Sequence, residues 1–210
     1  MRSRFRLNLK LATIEESLLY CLNALVCERG ETLVDSTEYH FMLTEVCDAL
    51  TEGITIKRLK CGLLFTGQFG TGKTTLMLVL RKFFDLLKGI PSAWVYQGID
   101  SLDSAYIRAE DFRYPFTSYE KFLEAATAPI LFLDNLGKEL ENPTEDNLAV
   151  ELVKNLIHLR YDMRLFTLIS TPFDGQSLRE TYGNQLASII NDGYSVIQMD
   201  FRPFRKQSRQ

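Results

Sequence analysis

The sequence predicts an α/β fold: a mainly parallel, five-stranded sheet with helices on both faces, preceded by a short helical segment. Three observations lead there. Short apolar runs of buried-strand length alternate with longer stretches of helical periodicity, the pattern of a parallel sheet covered on both sides. One strand–helix junction is glycine-rich, and Gly67-Gln68-Phe69-Gly70-Thr71-Gly72-Lys73-Thr74 matches G-x-x-x-x-G-K-[ST] at every constrained position. A second apolar run, Ile130-Leu131-Phe132-Leu133, ends in an acid, Asp134.

Before the loop the pattern reads as two helices. Ile14, Leu18, Leu22 and Leu25 share one face, Thr13 and Glu16 have capping-box spacing, and Gly30 is a stop signal. A second helix fits about Ser36 to Glu52, with Met42, Val46, Ala49 and Leu50 inward and Gly53 behind it. Cys61 to Thr66 is the strand entering the glycine-rich loop, and Thr75 to Lys88 is the helix leaving it, with Leu76, Leu80, Phe83 and Leu87 at helical spacing. Three more buried strands are expected at Ala93–Tyr96, Ile130–Leu133 and Leu165–Ile169. Val196–Met199 alternates and suits an edge. A helix fits Glu145 to Arg160 through Leu148, Leu152, Leu156 and Leu159. From Tyr106 to Ala128 the pattern is less regular: Arg108, Arg113, Tyr114, Pro115, Phe116 and Tyr119 interleave bases and aromatics. That mixture suits single-stranded nucleic acid or a partly buried connecting loop, the plainer reading. The expected organisation is a helical segment at residues 1–59, a nucleotide-binding core at 60–206 and a tail at 207–210.

Composition narrows the function classes. With 210 residues and 46% apolar content the chain can bury one sizeable core. No apolar run approaches the roughly 20 residues that span a bilayer, and no signal-peptide pattern follows Met1, so the expected location is the cytoplasm, away from membranes. The four cysteines form no C-x-x-C pair, and neither His40 nor His158 has a partner at ligand spacing, so neither set points to a metal. The net charge of −3 is polarised: residues 1–10 and 201–210 hold eight bases and no acid, leaving −11 on the 190 residues between. An acidic body with basic ends suits a protein that meets nucleic acid at its ends, or one with solvated tails.

The glycine-rich loop carries the chemistry. Its glycines let the backbone wrap round a polyphosphate and turn successive N–H groups inward. Lys73 brings a positive charge to the outer phosphates, and Thr74 offers a hydroxyl to Mg²⁺. The helix that begins there favours an anion at its N-terminus. Residues 67–75, Gly67, Gln68, Phe69, Gly70, Thr71, Gly72, Lys73, Thr74 and Thr75, are therefore the expected ATP-binding segment. Asp134, 61 residues beyond Lys73 and at the end of a buried strand, is the expected second Mg²⁺ ligand.

Here the chain resembles a family, the DnaC/IstB-like helicase-loader and transposition-helper ATPases of the AAA+ class. The resemblance covers roughly residues 60–206. It rests on Gly62-Leu63-Leu64-Phe65-Thr66-Gly67 through Leu76, on Asp134-Asn135-Leu136-Gly137-Lys138-Glu139, and on His158-Leu159-Arg160-Tyr161 followed by Phe166-Thr167-Leu168-Ile169-Ser170-Thr171. Tyr182-Gly183, Ala187-Ser188 and Arg202 to Arg205 match more loosely. The resemblance implies an AAA+ P-loop ATPase that assembles with itself on DNA, in an ATP-dependent homo-oligomer, and that serves a helicase, a transposase or another ATPase subunit.

Departures from the family pattern fall on its catalytic positions. Its second Walker B acid is Asn135 here, and an amide can orient water but cannot take its proton. Its sensor-1 Asn is Pro172, and its arginine-finger position falls on Ile189. Glu139 remains as a candidate base, Ser170 and Thr171 as candidate γ-phosphate contacts, and Arg160 or Arg179 as candidates to serve a neighbour. Two functions follow: a slow ATPase of helicase-loader type, or a nucleotide-dependent binding module with little or no hydrolysis. The chain has no N-K-x-D guanine-reading sequence.

Overall fold

Five parallel strands form the sheet, in the order β4-β5-β6-β2-β7. They are β2 (Gly62–Thr66), β4 (Ser104–Arg108), β5 (Ile130–Asp134), β6 (Phe166–Thr171) and β7 (Tyr194–Gln198). The computed structural model describes residues 5–30, 37–55, 60–113, 115–140 and 148–199. Within them the helices are α1 (Leu11–Glu28), α2 (Thr37–Thr55), α3 (Lys73–Lys88), α4 (Pro115–Thr127), α5 (Leu148–Met163) and α6 (Gly175–Gly193).

The sheet sorts its side chains by alternation. Leu63, Phe65, Ile130, Phe132 and Leu168 face a layer built from α1, α2 and α3. Leu64, Leu131, Leu133 and Ile169 face a layer built from α4, α5 and α6. Strands β2, β5 and β6 are buried along their whole length, which is why they read as mainly apolar runs without polar alternation. The edge strands β4 and β7 are only partly covered. β2 opens on glycine because β6 lies too close for anything larger: a Cβ on Gly62 would stand 1.8 Å from the Thr167 carbonyl oxygen.

Two sequence expectations are corrected here. Ala93–Tyr96 does not join the main sheet. Its strand, β3 (Trp94–Tyr96), pairs antiparallel with β1 (Phe5–Leu7), in register Phe5↔Tyr96 and Leu7↔Trp94. The remaining main-sheet strand is β4, inside the stretch expected to be irregular, and an edge position explains its mixed pattern of Tyr106 and Arg108 among Ala105 and Ile107. Phe5 is buried and packs edge-on or tilted against Phe84, Tyr96 and Phe166, with ring centroids 5.1–5.6 Å apart. The Tyr96 hydroxyl donates to Pro129 O at 2.8 Å and accepts from the Phe166 N–H at 2.8 Å, tying this small sheet to the large one.

The capping box is also corrected. α1 begins at Leu11 with Lys10 as its N-cap and no side-chain cap, and Thr13 already lies inside the helix, its carbonyl accepting from Ser17 Oγ at 2.7 Å. α1 and α2 nevertheless pack into the same apolar cluster as α3.

Arg160 on α5 is fully buried. Its guanidinium donates to Ala125 O (2.6 Å) and Ala128 O (2.8 Å) at the end of α4, and to Phe166 O (2.9 Å) and Thr167 Oγ1 (2.9 Å) at the start of β6. A cation against the carbonyls of a helix C-terminus is favourable. Burial still pulls the Arg160 pKa down to about 10. So enclosed, Arg160 cannot reach a neighbouring molecule, and that candidate role falls away. Arg179, on α6, is exposed.

Candidate functional site

The C-terminal ends of β2, β5 and β6 bring the site together. The loop leaving β2 runs through Gly67, Gly70 and Gly72, all at positive φ (145°, 87° and 93°), a conformation other residues rarely adopt. Gly67 also lies hard against the chain after β7, where a Cβ would stand 2.4 Å from Met199 O. Gly72 is the N-cap of α3 in the left-handed conformation, so the helix starts at Lys73 with its free N–H groups facing the loop.

Lys73 folds back across that loop. Its Nζ donates to Gly67 O at 2.5 Å and to Gln68 O at 2.7 Å, and Thr71 Oγ1 lies 3.5 Å away. Lys73 is 6% exposed, and burial lowers its pKa while Asp134 acts to raise it. Thr71 closes the turn by donating to Gln68 O at 2.9 Å.

Asp134, at the end of β5, is fully buried and collects three hydroxyls. Thr74 Oγ1 donates to Oδ2 at 3.0 Å, Tyr106 OH donates to Oδ2 at 2.6 Å, and Ser170 Oγ donates to Oδ1. Ser170 in turn accepts from the Asn135 N–H at 2.9 Å. The expected metal pair, Thr74 and Asp134, is therefore assembled from two elements 60 residues apart. Both offer hard oxygen donors, as Mg²⁺ requires. Among the described residues no cluster of three or more His, Cys, Asp or Glu side chains surrounds a common point.

Tyr106 is the site residue that sequence reasoning misses. It lies on β4, with its ring stacked on Phe132 (centroids 6.4 Å) and the Arg81 guanidinium 5.8 Å from its ring centroid. No motif marks it; only the pairing of β4 with β5 brings it beside Asp134.

The remaining candidates separate. Asn135 sits at φ 61°, in the left-handed region that asparagine tolerates better than most residues. Of the two candidate hydroxyls on β6, Ser170 turns to Asp134, whereas Thr171 is buried and donates to Leu136 O at 2.8 Å. Glu139 is 4% exposed, with one carboxylate oxygen accepting from the Gly137 N–H at 2.9 Å and the other from Tyr182 OH on α6. Burial raises the Glu139 pKa, and these two bonds act against the rise. Glu139 thus ties the loop after β5 to α6. Phe69 is 62% exposed at the loop, with Lys138 Nζ 5.2 Å from its ring centroid. Thr75 Oγ1 accepts from Arg29 at 3.3 Å. A groove of about 1200 Å³ opens next to the site, under α6 and over β2 and β7, reaching the phosphate loop only at Gly67 and Gln68.

The strand order, the loop and the buried acid together define an AAA+ P-loop NTPase fold. Solved structures share it: the chain superposes on the DnaI structure with a TM-score of 0.57 at 21% identity, covering 82% of this chain and 87% of that one. The DnaC helicase loader gives 0.55 at 21% identity, over 80% and 93%. AMPPCP-bound DnaA from Aquifex aeolicus gives 0.55 at 15% identity. The chain spans about half of that DnaA structure and of a DNA replication initiation factor it also matches, 48% of each. No protein-family model matches the chain, and no curated protein is a significant match. No helix among the described residues is long and apolar enough to cross a membrane.

Proposed function

We propose that the chain binds Mg·ATP in the loop at residues 67–75 and couples its nucleotide state to assembly on DNA, or to a replication or transposition partner such as a helicase, a transposase or another ATPase subunit. The observation that carries this reading is the Thr74–Asp134 pair beside Lys73, because a buried acid held on the P-loop hydroxyl is the arrangement a Mg-triphosphate needs. When bound, the Mg²⁺ supplies charge neutralisation between the outer phosphates. The chain's own part is to hold Asp134 rigid through Tyr106 and Ser170, to present Lys73 already desolvated, and to orient the phosphates on the first turn of α3. Asp134→Asn keeps the side chain's shape and removes its charge. Its expected effect is to abolish the gain in ATP affinity on adding Mg²⁺ while leaving metal-free binding near wild type. Calorimetry with and without EDTA reads this out, and an undiminished Mg²⁺ effect would refute the metal assignment.

Hydrolysis is slow in this reading, and an entirely non-hydrolytic switch is the second possibility, favoured by Asn135. The turn at φ 61° presents an amide where the related family has an acid. Glu139, the other nearby carboxyl, is engaged on both oxygens. Asn135→Glu restores a carboxylate and should raise turnover toward the ~10²–10⁴ of a general base, less what the glutamate loses in a left-handed conformation. Asn135→Asp fits that backbone better but is one methylene shorter. Wild-type turnover at ordinary ATPase rates, or a slower Asn135→Glu variant, would overturn the role given to Asn135.

DNA, in this proposal, meets the basic ends of the chain. Arg6 and Lys10 are exposed, while Arg2, Arg4, Arg202, Arg205, Lys206 and Arg209 lie outside the described residues. Phe5 and Leu7 are core residues, so charge removal rather than truncation is the sound test. Replacing Arg2, Arg4 and Arg6 with Gln should flatten the log–log salt dependence of DNA affinity by about 0.7–0.9 for each phosphate the protein ceases to neutralise. An unchanged slope would remove the N-terminal bases from the interface. The same result on replacing Arg202, Arg205, Lys206 and Arg209 as well would return the Arg113–Tyr119 stretch as the better candidate.

A further inference from the structure

Arg29 ends α1, far from the P-loop in sequence, yet its guanidinium lies against the first turn of α3. Its Nη1 donates to Thr75 Oγ1 at 3.3 Å. The backbone there is fixed: the Arg29 N–H bonds Val26 O at 3.1 Å and the Gly30 N–H bonds Cys27 O at 2.9 Å, closing the helix. The neighbouring Glu28 accepts from Lys82 of α3 at 2.7 Å, so the end of α1 is held to α3 at a second point. α1 is anchored beneath by Leu22, Leu25 and Val26 in the cluster that also holds Leu76, Val79 and Leu80. The Arg29 side chain is nevertheless exposed. A guanidinium carries five N–H donors, and the Thr75 hydroxyl takes only one.

We infer that Arg29 is a nucleotide-binding residue, contacting the inner (α) phosphate of a bound nucleoside di- or triphosphate and thereby making α1 part of the nucleotide site. The inference rests on the P-loop reading and goes beyond it. Lys73 addresses the outer phosphates and Thr74 the metal. Thr75 follows them along the first turn of α3, so a cation held on its hydroxyl stands toward the inner end of the chain of phosphates. A fork of donors matches a phosphate's paired oxygens better than a point charge does. The positional cost is already met, since both α1 and Thr75 are fixed.

The consequence is a division of labour between two cations. Lys73 should favour ATP over ADP, whereas Arg29 should strengthen both alike, because both carry the α-phosphate. Charge-assisted hydrogen bonds of this kind correspond to roughly tenfold or more in affinity.

The test is equilibrium binding of ADP and of a non-hydrolysable ATP analogue to the full chain, comparing wild type, Arg29→Ala, Arg29→Lys and Lys73→Ala, with melting temperatures measured without nucleotide. The expected result is about a tenfold or greater loss for both nucleotides in Arg29→Ala, with their ratio unchanged, and partial recovery in Arg29→Lys. The nucleotide-free melting temperature should stay near wild type, since the side chain is exposed. Wild-type affinity in Arg29→Ala, alongside abolished binding in Lys73→Ala, would overturn this inference and leave the P-loop reading standing. A loss confined to the triphosphate would also overturn it, placing Arg29 at the outer phosphates. Failure of the wild type to bind either nucleotide would remove both readings together.

Discussion

Replacing Lys73 with Ala is expected to abolish measurable ATP binding, a loss of at least about a hundredfold. The size follows from what the structure has already arranged. The ammonium is buried and bonded to Gly67 O and Gln68 O. Much of its desolvation has therefore taken place on folding, and binding only exchanges carbonyl partners for phosphate oxygens. Two or more charge-assisted bonds, each worth about 1.5–3 kcal/mol, disappear together in the variant. The loop itself should loosen, because Lys73 is what draws the Gly67 and Gln68 carbonyls inward. Calorimetric titration reads the affinity, and far-ultraviolet circular dichroism confirms that the fold persists. Binding within a few-fold of wild type would show that the loop is not the phosphate site.

The largest effect on stability is expected from Arg160. Replacing it with Met keeps much of the volume but strips donors from four acceptors: Ala125 O, Ala128 O, Phe166 O and Thr167 Oγ1. Buried acceptors left without partners cost about 1–3 kcal/mol each before relaxation. A net loss of about 3–5 kcal/mol is the expected outcome, within reach of the whole stability of an ordinary domain. Urea unfolding followed by circular dichroism measures it. Arg160→Lys should recover little, because one ammonium cannot serve both the end of α4 and the start of β6. A loss below about 1 kcal/mol would mean that these carbonyls find other donors.

The features legible in the sequence are those set by neighbouring residues. The P-loop requires glycines at fixed offsets from Lys73, and β2, β5 and β6 are buried on both faces, so loop and central strands announce themselves. What sequence misreads depends on partners distant in the chain. Trp94–Tyr96 is as apolar as a central strand because it covers the α3 layer, with Trp94 Nε1 donating to Leu87 O at 3.0 Å, yet it pairs with β1. Ser104–Arg108 looks irregular because an edge strand needs only one well-covered side. Tyr106 and Ser170 converge on Asp134 through strand register, which leaves no short-range trace. Arg160 and Glu139 look like surface charges until their carbonyl and phenol partners are known.

The placement of Phe5 has a consequence for how the protein is made. Its ring closes on Phe84, Tyr96 and Phe166, the last of them 161 residues further along. At the roughly 5–20 residues per second of translation, β1 waits about 8–30 seconds before its final ring partner has been synthesised. During that interval Phe5 and Leu7 are apolar residues flanked by Arg2, Arg4, Arg6 and Lys10. Those bases then act as gatekeepers that keep a premature strand from associating with other chains. The same charges to which the proposed function assigns DNA would keep the nascent chain from associating.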